Sequence, residues 1–153
     1  MGLTLLSYAK RKASRAENEL ATILWGLGYA VVRGPSSGGG VRRRFQPDLV
    51  VARSGVILVF EVKTGRGGEP VYIDSSQVLG VQDFAGRAGG VAYIAVRLEG
   101  GEWRFHPLDS LETTRKGNFK ISDPQKGLRL RDLEEKHFPR TARITDYLNY
   151  KQL

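Results

Sequence analysis

The most constraining stretch of the sequence is Gln46-Pro-Asp-Leu-Val-Val-Ala52, an Arg-Ser-Gly turn, and then Val56-Ile-Leu-Val-Phe-Glu-Val-Lys63. Two apolar runs joined by a tight turn at Ser54-Gly55 read as a β-hairpin. In the second run Glu61 and Lys63 are two residues apart, so a strand points both to one face and Val62 to the other. A carboxylate and an ammonium are costly on the inner surface of a sheet unless they are paired, hydrated or bound to a metal. Asp48 opens the first strand, within reach across the hairpin. Asp48, Glu61 and Lys63 therefore form a candidate metal-and-water site. The competing reading is a Glu61–Lys63 ion pair on a solvated sheet face.

The totals narrow the chemistry. A chain of 153 residues with 41% apolar content is long enough for one domain with a real core. Its longest apolar run, Val91 to Val96, falls far short of the roughly 20 residues of a membrane-spanning helix. Leu3, Leu5 and Leu6 precede the first basic residue, the reverse of a signal peptide, so a cytoplasmic protein with no membrane association is expected. The sequence has no cysteine and only His106 and His137, which excludes disulfides and thiolate zinc sites and disfavours a multi-histidine centre. A metal here would be a hard cation held by oxygen, magnesium or manganese.

Charge is unevenly spread. The formal net charge is +8, and residues 1–66 hold 11 Lys and Arg against 4 Asp and Glu. Nearly all of the excess thus lies in the part that carries the candidate site. A basic half of this kind suits a polyanionic partner, nucleic acid ahead of a membrane surface. A merely solvated basic face is the plainer alternative.

Along the chain, residues 1–12 end in Lys10-Arg11-Lys12 and read as an exposed basic arm. Ser14 to about Leu27 reads as a helix, with Ala16, Leu20, Ile23, Leu24 and Leu27 forming one apolar stripe. Tyr29 to Arg33 is a short strand, and Gly34 to Phe45 a loop containing Ser36, Ser37, three glycines and Arg42, Arg43 and Arg44. After the hairpin, Val71 to Ile73 is a short strand or edge. Ser75 is the expected cap of a helix from Ser76 to Ala88. Val91 to Arg97 is a strand buried on both faces, and Glu102 to His106 a further strand. Leu108 to Leu111 reads as a helical turn, Leu128 to Lys136 as a short helix, and about 139–153 as a tail. The element order predicts a single α/β domain over 1–153, a central mixed β-sheet flanked by helices.

The spacing of Asp48, Glu61 and Lys63 suits phosphodiester hydrolysis. Two carboxylates can hold a divalent cation that polarises the phosphate and acidifies a bound water. A nearby lysine stabilises developing negative charge or orients that water. Glu17 flanks the apolar stripe of the first helix on one side and Glu19 on the other, so periodicity does not choose between them. Ser14-Arg-Ala-Glu17 also fits a capping box, which would confine Glu17 to the helix start. The glycine-serine loop and its arginines suit contacts with phosphates, but no Gly-Lys-Ser/Thr follows, which disfavours nucleotide binding. A plain glycine loop with incidental charge is the alternative.

Lys10-Arg-Lys-Ala-Ser-Arg-Ala-Glu17, Val31-Val-Arg-Gly-Pro-Ser-Ser-Gly38, Pro47-Asp48 and Glu61-Val-Lys63, in this order, resemble the archaeal Holliday-junction resolvases of the PD-(D/E)xK nuclease superfamily. The likeness runs from about Lys10 to Ile94 and continues more faintly through Gly117-Asn-Phe and Gly127-Leu. It implies a restriction-endonuclease-like fold and a homodimeric, magnesium-dependent endonuclease that cuts four-way junction DNA symmetrically, with manganese a possible substitute. By position, Asp48 and Glu61 would be metal ligands beside the Val62 carbonyl, with Glu17 an essential acid and possible further ligand. Lys63 would be the catalytic lysine, and Ser37 (or its neighbour Ser36) the serine of a loop that closes on the DNA backbone. Lys10, Arg11, Lys12, Arg15, Arg33, Arg42, Arg43, Arg44 and Gln77 would be DNA contacts. Where the family often carries a basic residue after the helix-one glutamate, this chain has Asn18. Two other readings stay open: a restriction-type or other nuclease of duplex or branched DNA, and a non-catalytic nucleic-acid-binding protein on the same fold.

Overall fold

The computed structural model describes residues 2–35 and 44–139. A five-stranded sheet forms the centre, in the order β1 (Ala30–Arg33), β2 (Leu49–Arg53), β3 (Val56–Gly65), β5 (Val91–Leu98) and β6 (Trp103–Pro107). Neighbours pair antiparallel except β3 and β5, which run parallel. A parallel pair needs a long crossover. It is supplied by β4 (Val71–Ile73) and helix α2 (Ser75–Ala88). The sheet is therefore mixed and flanked by helices, as the element order predicts.

Period-two alternation along β3 sorts its side chains between two layers. Leu58, Phe60 and Val62 join Ala16, Leu20 and Leu24 of helix α1 (Gly2–Gly26) and Leu133 of α3 (Leu130–His137) in one core. Val59 faces the other way, against Val81 and Ala85 of α2. Beside that second layer lies a small sheet, β4 with β8 (Phe119–Ile121) and β7 (Glu112–Thr113). Its Val71, Ile73 and Ile121 pack on Ile94 and Val96 of β5. The hairpin turn has φ of 50° at Ser54 and 81° at Gly55, the two-residue geometry that matches strand twist.

The structure departs from the sequence reading in three places. Helix α1 starts at Gly2 rather than Ser14, so Lys10, Arg11 and Lys12 are exposed on a helix instead of an irregular arm. No Pro or Gly interrupts Leu3 to Trp25, and Leu, Ala, Lys and Arg are good helix formers. The apolar stripe begins only at Ala16, and residues 4–13 before it are exposed except for Ser7. At α2 the N-cap is Asp74, which makes no side-chain capping bond. The Ser75 amide instead donates to Asn118 Oδ1 at 3.0 Å, a contact from the β7–β8 turn. Strands β7 and β8, two and three residues long, are too short to show a strand period in the sequence.

Candidate active site

The β2–β3 register pairs Leu49 with Phe60, so Asp48, one residue before β2, stands opposite Glu61. Asp48 Oδ2 accepts the Val62 amide at 2.8 Å, which fixes the carboxylate at the open end of the hairpin. Glu61 is only 4% exposed. Burial, and then the negative charge of Asp48, push its carboxyl up to about 8, with Lys63 acting in the opposite direction. Two adjacent acids, one buried, are thus short of positive charge even with the lysine present. Lys63 Nζ donates to Gln77 Oε1 of α2 at 2.8 Å, so the ammonium is turned to the helix and aimed by it. No Glu61–Lys63 pair appears among the ion pairs of the described residues, which disposes of the simple ion-pair reading.

Glu17 and Glu19 separate cleanly. Glu19 accepts Arg97 Nε at 2.7 Å and Trp103 Nε1 at 3.3 Å, tying α1 to the far strands. Glu17 pairs with Arg33 of β1 at 2.7 Å. Burial raises the Glu17 carboxyl above its ordinary value, the Arg33 hydrogen bond opposes this, and the charge of Asp48 adds to the rise. Glu17 therefore sits at the Asp48 side of the molecule. The capping-box reading fails because Ser14 is helical, whereas an N-cap residue must lie outside the helix.

Arg33 is held rather than free. Besides Glu17 it donates to Asn18 Oδ1 and, at 3.4 Å, to Ser14 Oγ, while its buried Nε has no partner among the described residues. Asn18, at the position where the family pattern has a base, is thus part of the cradle of this guanidinium. Nothing in the sequence flagged that role. Lys10, Arg11, Lys12, Arg15 and Arg44 are exposed. Ser36, Ser37, Arg42 and Arg43 lie outside the described residues. Both flanks of that segment are anchored close to the site. The Gly34 amide donates to the Asp48 carbonyl at 2.9 Å, and a Cβ on Gly34 would meet the Pro47 carbonyl oxygen at 2.1 Å. On the other flank the Phe45 ring lies over Gly80 of α2, where a Cβ would meet it at 2.2 Å.

The donor set suits a hard divalent cation. Asp48 and Glu61 offer carboxylate oxygens, the β3 backbone offers the Val62 carbonyl, and a cation would offset the burial and the Asp48 charge that raise the Glu61 carboxyl. Among the described residues no three His, Cys, Asp or Glu side chains converge as a ready-made metal cluster. Glu17, turned to Arg33, is not gathered with the other two acids.

A mixed sheet with an acid at the start of one strand, Glu-x-Lys on the next and a helix glutamine on the lysine defines a nuclease-type centre of the PD-(D/E)xK kind. Comparison with known proteins gives the family. The model of the archaeal Holliday junction resolvase (Hjc) family matches residues 8–142, and this chain belongs to that family. A crossover junction endodeoxyribonuclease Hjc from Sulfurisphaera tokodaii is 36% identical over 126 residues, 81% of this chain and 86% of the relative. The protein of the same description from Archaeoglobus fulgidus is 38% identical over 114 residues, 74% of this chain and 81% of the relative. The solved structure of Archaeoglobus fulgidus Hjc, a Holliday junction resolvase, superposes with a TM-score of 0.68 at 35% identity, covering 78% of this chain and 98% of that one.

Proposed function

We propose that this chain is a structure-selective endodeoxyribonuclease that resolves four-way DNA junctions, working as a homodimer with magnesium, for which manganese can substitute. The observation that carries the reading is Glu61: a carboxyl buried beside Asp48 and left short of positive charge, on the strand that bears Lys63. Family membership supports the substrate class, since the relatives are named crossover junction endodeoxyribonucleases.

A divalent cation bound by Asp48, Glu61 and the Val62 carbonyl would polarise the scissile phosphate and acidify a water beside it. The chain's own residues do the rest. Lys63, aimed by Gln77, faces the developing negative charge or holds the attacking water. Glu17 and Arg33 hold one another at the Asp48 side, where a guanidinium can also meet a DNA phosphate. The exposed bases Lys10, Arg11, Lys12, Arg15 and Arg44, with Arg42 and Arg43, supply sequence-independent affinity, and Ser36 or Ser37 closes on the backbone. In a dimer, two such centres at a fixed separation cut paired strands by geometry rather than base sequence. No helix among the described residues is long and apolar enough to cross a membrane. We place the enzyme in the cytoplasm with the DNA.

The test is cleavage of a synthetic four-way junction and of its component linear duplex in magnesium. Paired symmetric nicks on the junction, and none on the duplex, are expected. Equal cutting of the duplex would favour a restriction-type enzyme, and no metal-dependent turnover on either DNA a binding protein.

A further inference from the structure

A groove of about 450 Å³ starts at Lys63 and runs between the N-terminal half of α1, the end of β3 and the outward side of β4. That is within the roughly 300–1,000 Å³ of ligand clefts. Lys63 is part of its wall, so the groove adjoins the candidate cleavage site at that residue. Lys12 and Arg66 add positive charge, and Glu69 is the one acid among its lining residues. Arg66 pairs with Glu99 at 3.1 Å, but both side chains are largely exposed, so the pair is weak and exchangeable.

The remaining wall contains Tyr72. On β4 its neighbours Val71 and Ile73 are buried in the core, while Tyr72 itself is 63% exposed. No other aromatic ring stacks on it among the described residues. Tyrosine favours strands, and Tyr72 lies opposite Lys120 across the β4–β8 pair, which accounts for an aromatic at a strand position. It does not account for a ring on the wall of a cationic groove that begins at the catalytic lysine. A positive groove with an unpartnered aromatic face is the arrangement by which proteins hold unpaired nucleic acid.

We propose that Tyr72 stacks on a nucleobase left without a neighbour at the branch point, while Lys12 and Arg66 hold the flanking phosphates; this rests on the nuclease reading above. At a branch the bases at the exchange point have already lost part of their stacking, so presenting a face costs little. A linear duplex offers no such face. The contact therefore favours branched over linear DNA without reading sequence, which makes Tyr72 a specificity-determining residue of the same site.

The experiment uses the full chain, its Tyr72→Ala and Tyr72→Phe variants, and a four-way junction with 2-aminopurine beside the exchange point. Calcium replaces magnesium for binding. Wild type and Tyr72→Phe should quench the probe on binding. Tyr72→Ala should lose the quenching and bind the junction roughly tenfold more weakly, with duplex affinity and melting temperature unchanged. Wild-type quenching and affinity in Tyr72→Ala would overturn the proposal, as would an equal loss on junction and duplex or a lowered melting temperature accounting for the defect. Failure of the nuclease reading shows separately, as a wild-type chain that leaves the junction uncut in magnesium.

Discussion

At the turn end of the β2–β3 hairpin, the half-buried Arg53 is fully supplied with partners. It pairs with Glu134 of α3, donates to the Leu27 carbonyl at 2.7 Å, and lies 4.3 Å from the Tyr29 ring centroid and 3.9 Å from that of Phe138. The Tyr29 hydroxyl completes the cluster by donating to Glu134 Oε1 at 2.8 Å. At the open end of the same hairpin, Asp48 and Glu61 face one another with too little positive charge nearby, and Lys63 is turned to Gln77. The strands are shared, Glu61 is more deeply buried than Arg53, and the supply of partners differs. Charge satisfied within the chain holds α3 and β1 in place. Charge left short is available to a cation and a phosphate from outside. Such separation is expected where function and stability make different demands on one element.

The contrast can be broken most forcefully at the open end. Asp48→Asn or Glu61→Gln should lower junction cleavage in magnesium by roughly a thousandfold or more, while junction binding stays within a few-fold in a gel-shift titration. A variant that cuts at the wild-type rate removes the site assignment. The turn end should respond in the opposite currency. Arg53→Ala strands Glu134 and removes two cation–π contacts, so a loss of about 2–4 kcal/mol in chemical denaturation is expected, with kcat unchanged at a temperature where the variant is folded. A fall in kcat with no loss of stability would merge the two ends.

Finer tests probe the wiring. Gln77→Ala should lower kcat by about tenfold through loss of the aim of Lys63, leaving KM and the melting temperature close to wild type. The smallest effect is on stability against pH in metal-free protein. The folded chain binds the Glu61 proton more tightly than the unfolded chain does, because the folded carboxyl is raised to about 8. Stability from this group is therefore full below the ordinary carboxylate range and is lost as pH climbs toward that value. Between about pH 5 and 8 the wild-type melting temperature should fall relative to that of Glu61→Gln by a few degrees. Parallel curves would mean that Glu61 is ionised at little cost.

The central sheet and the acid pair were legible because both rest on local pattern. The strand period placed Glu61 and Lys63 on one face, and the short turn brought Asp48 opposite Glu61. What escaped rests on contacts between distant segments. The capping of α2 by Asn118, 43 residues from Ser75, leaves no trace in the helix's own sequence. Nor does the cradle in which Asn18 and Glu17 hold Arg33, since a helix face shows which residues are polar but not which strand end they meet. The choice of Glu17 over Glu19 rests on family resemblance; what the structure adds is their different partners, Arg33 for Glu17 and Arg97 with Trp103 for Glu19. The first turns of α1 escaped because helical periodicity reports packing, and those turns bury almost nothing.

On the function proposed above, a divalent cation completes the open end of the hairpin. This is tested most directly by titrating manganese into the DNA-free chain, following free metal by electron paramagnetic resonance, with Asp48→Asn alongside. Saturable binding at one site per chain is expected in the wild type, with its loss in Asp48→Asn. Equal binding by both proteins, or none by either, would contradict it.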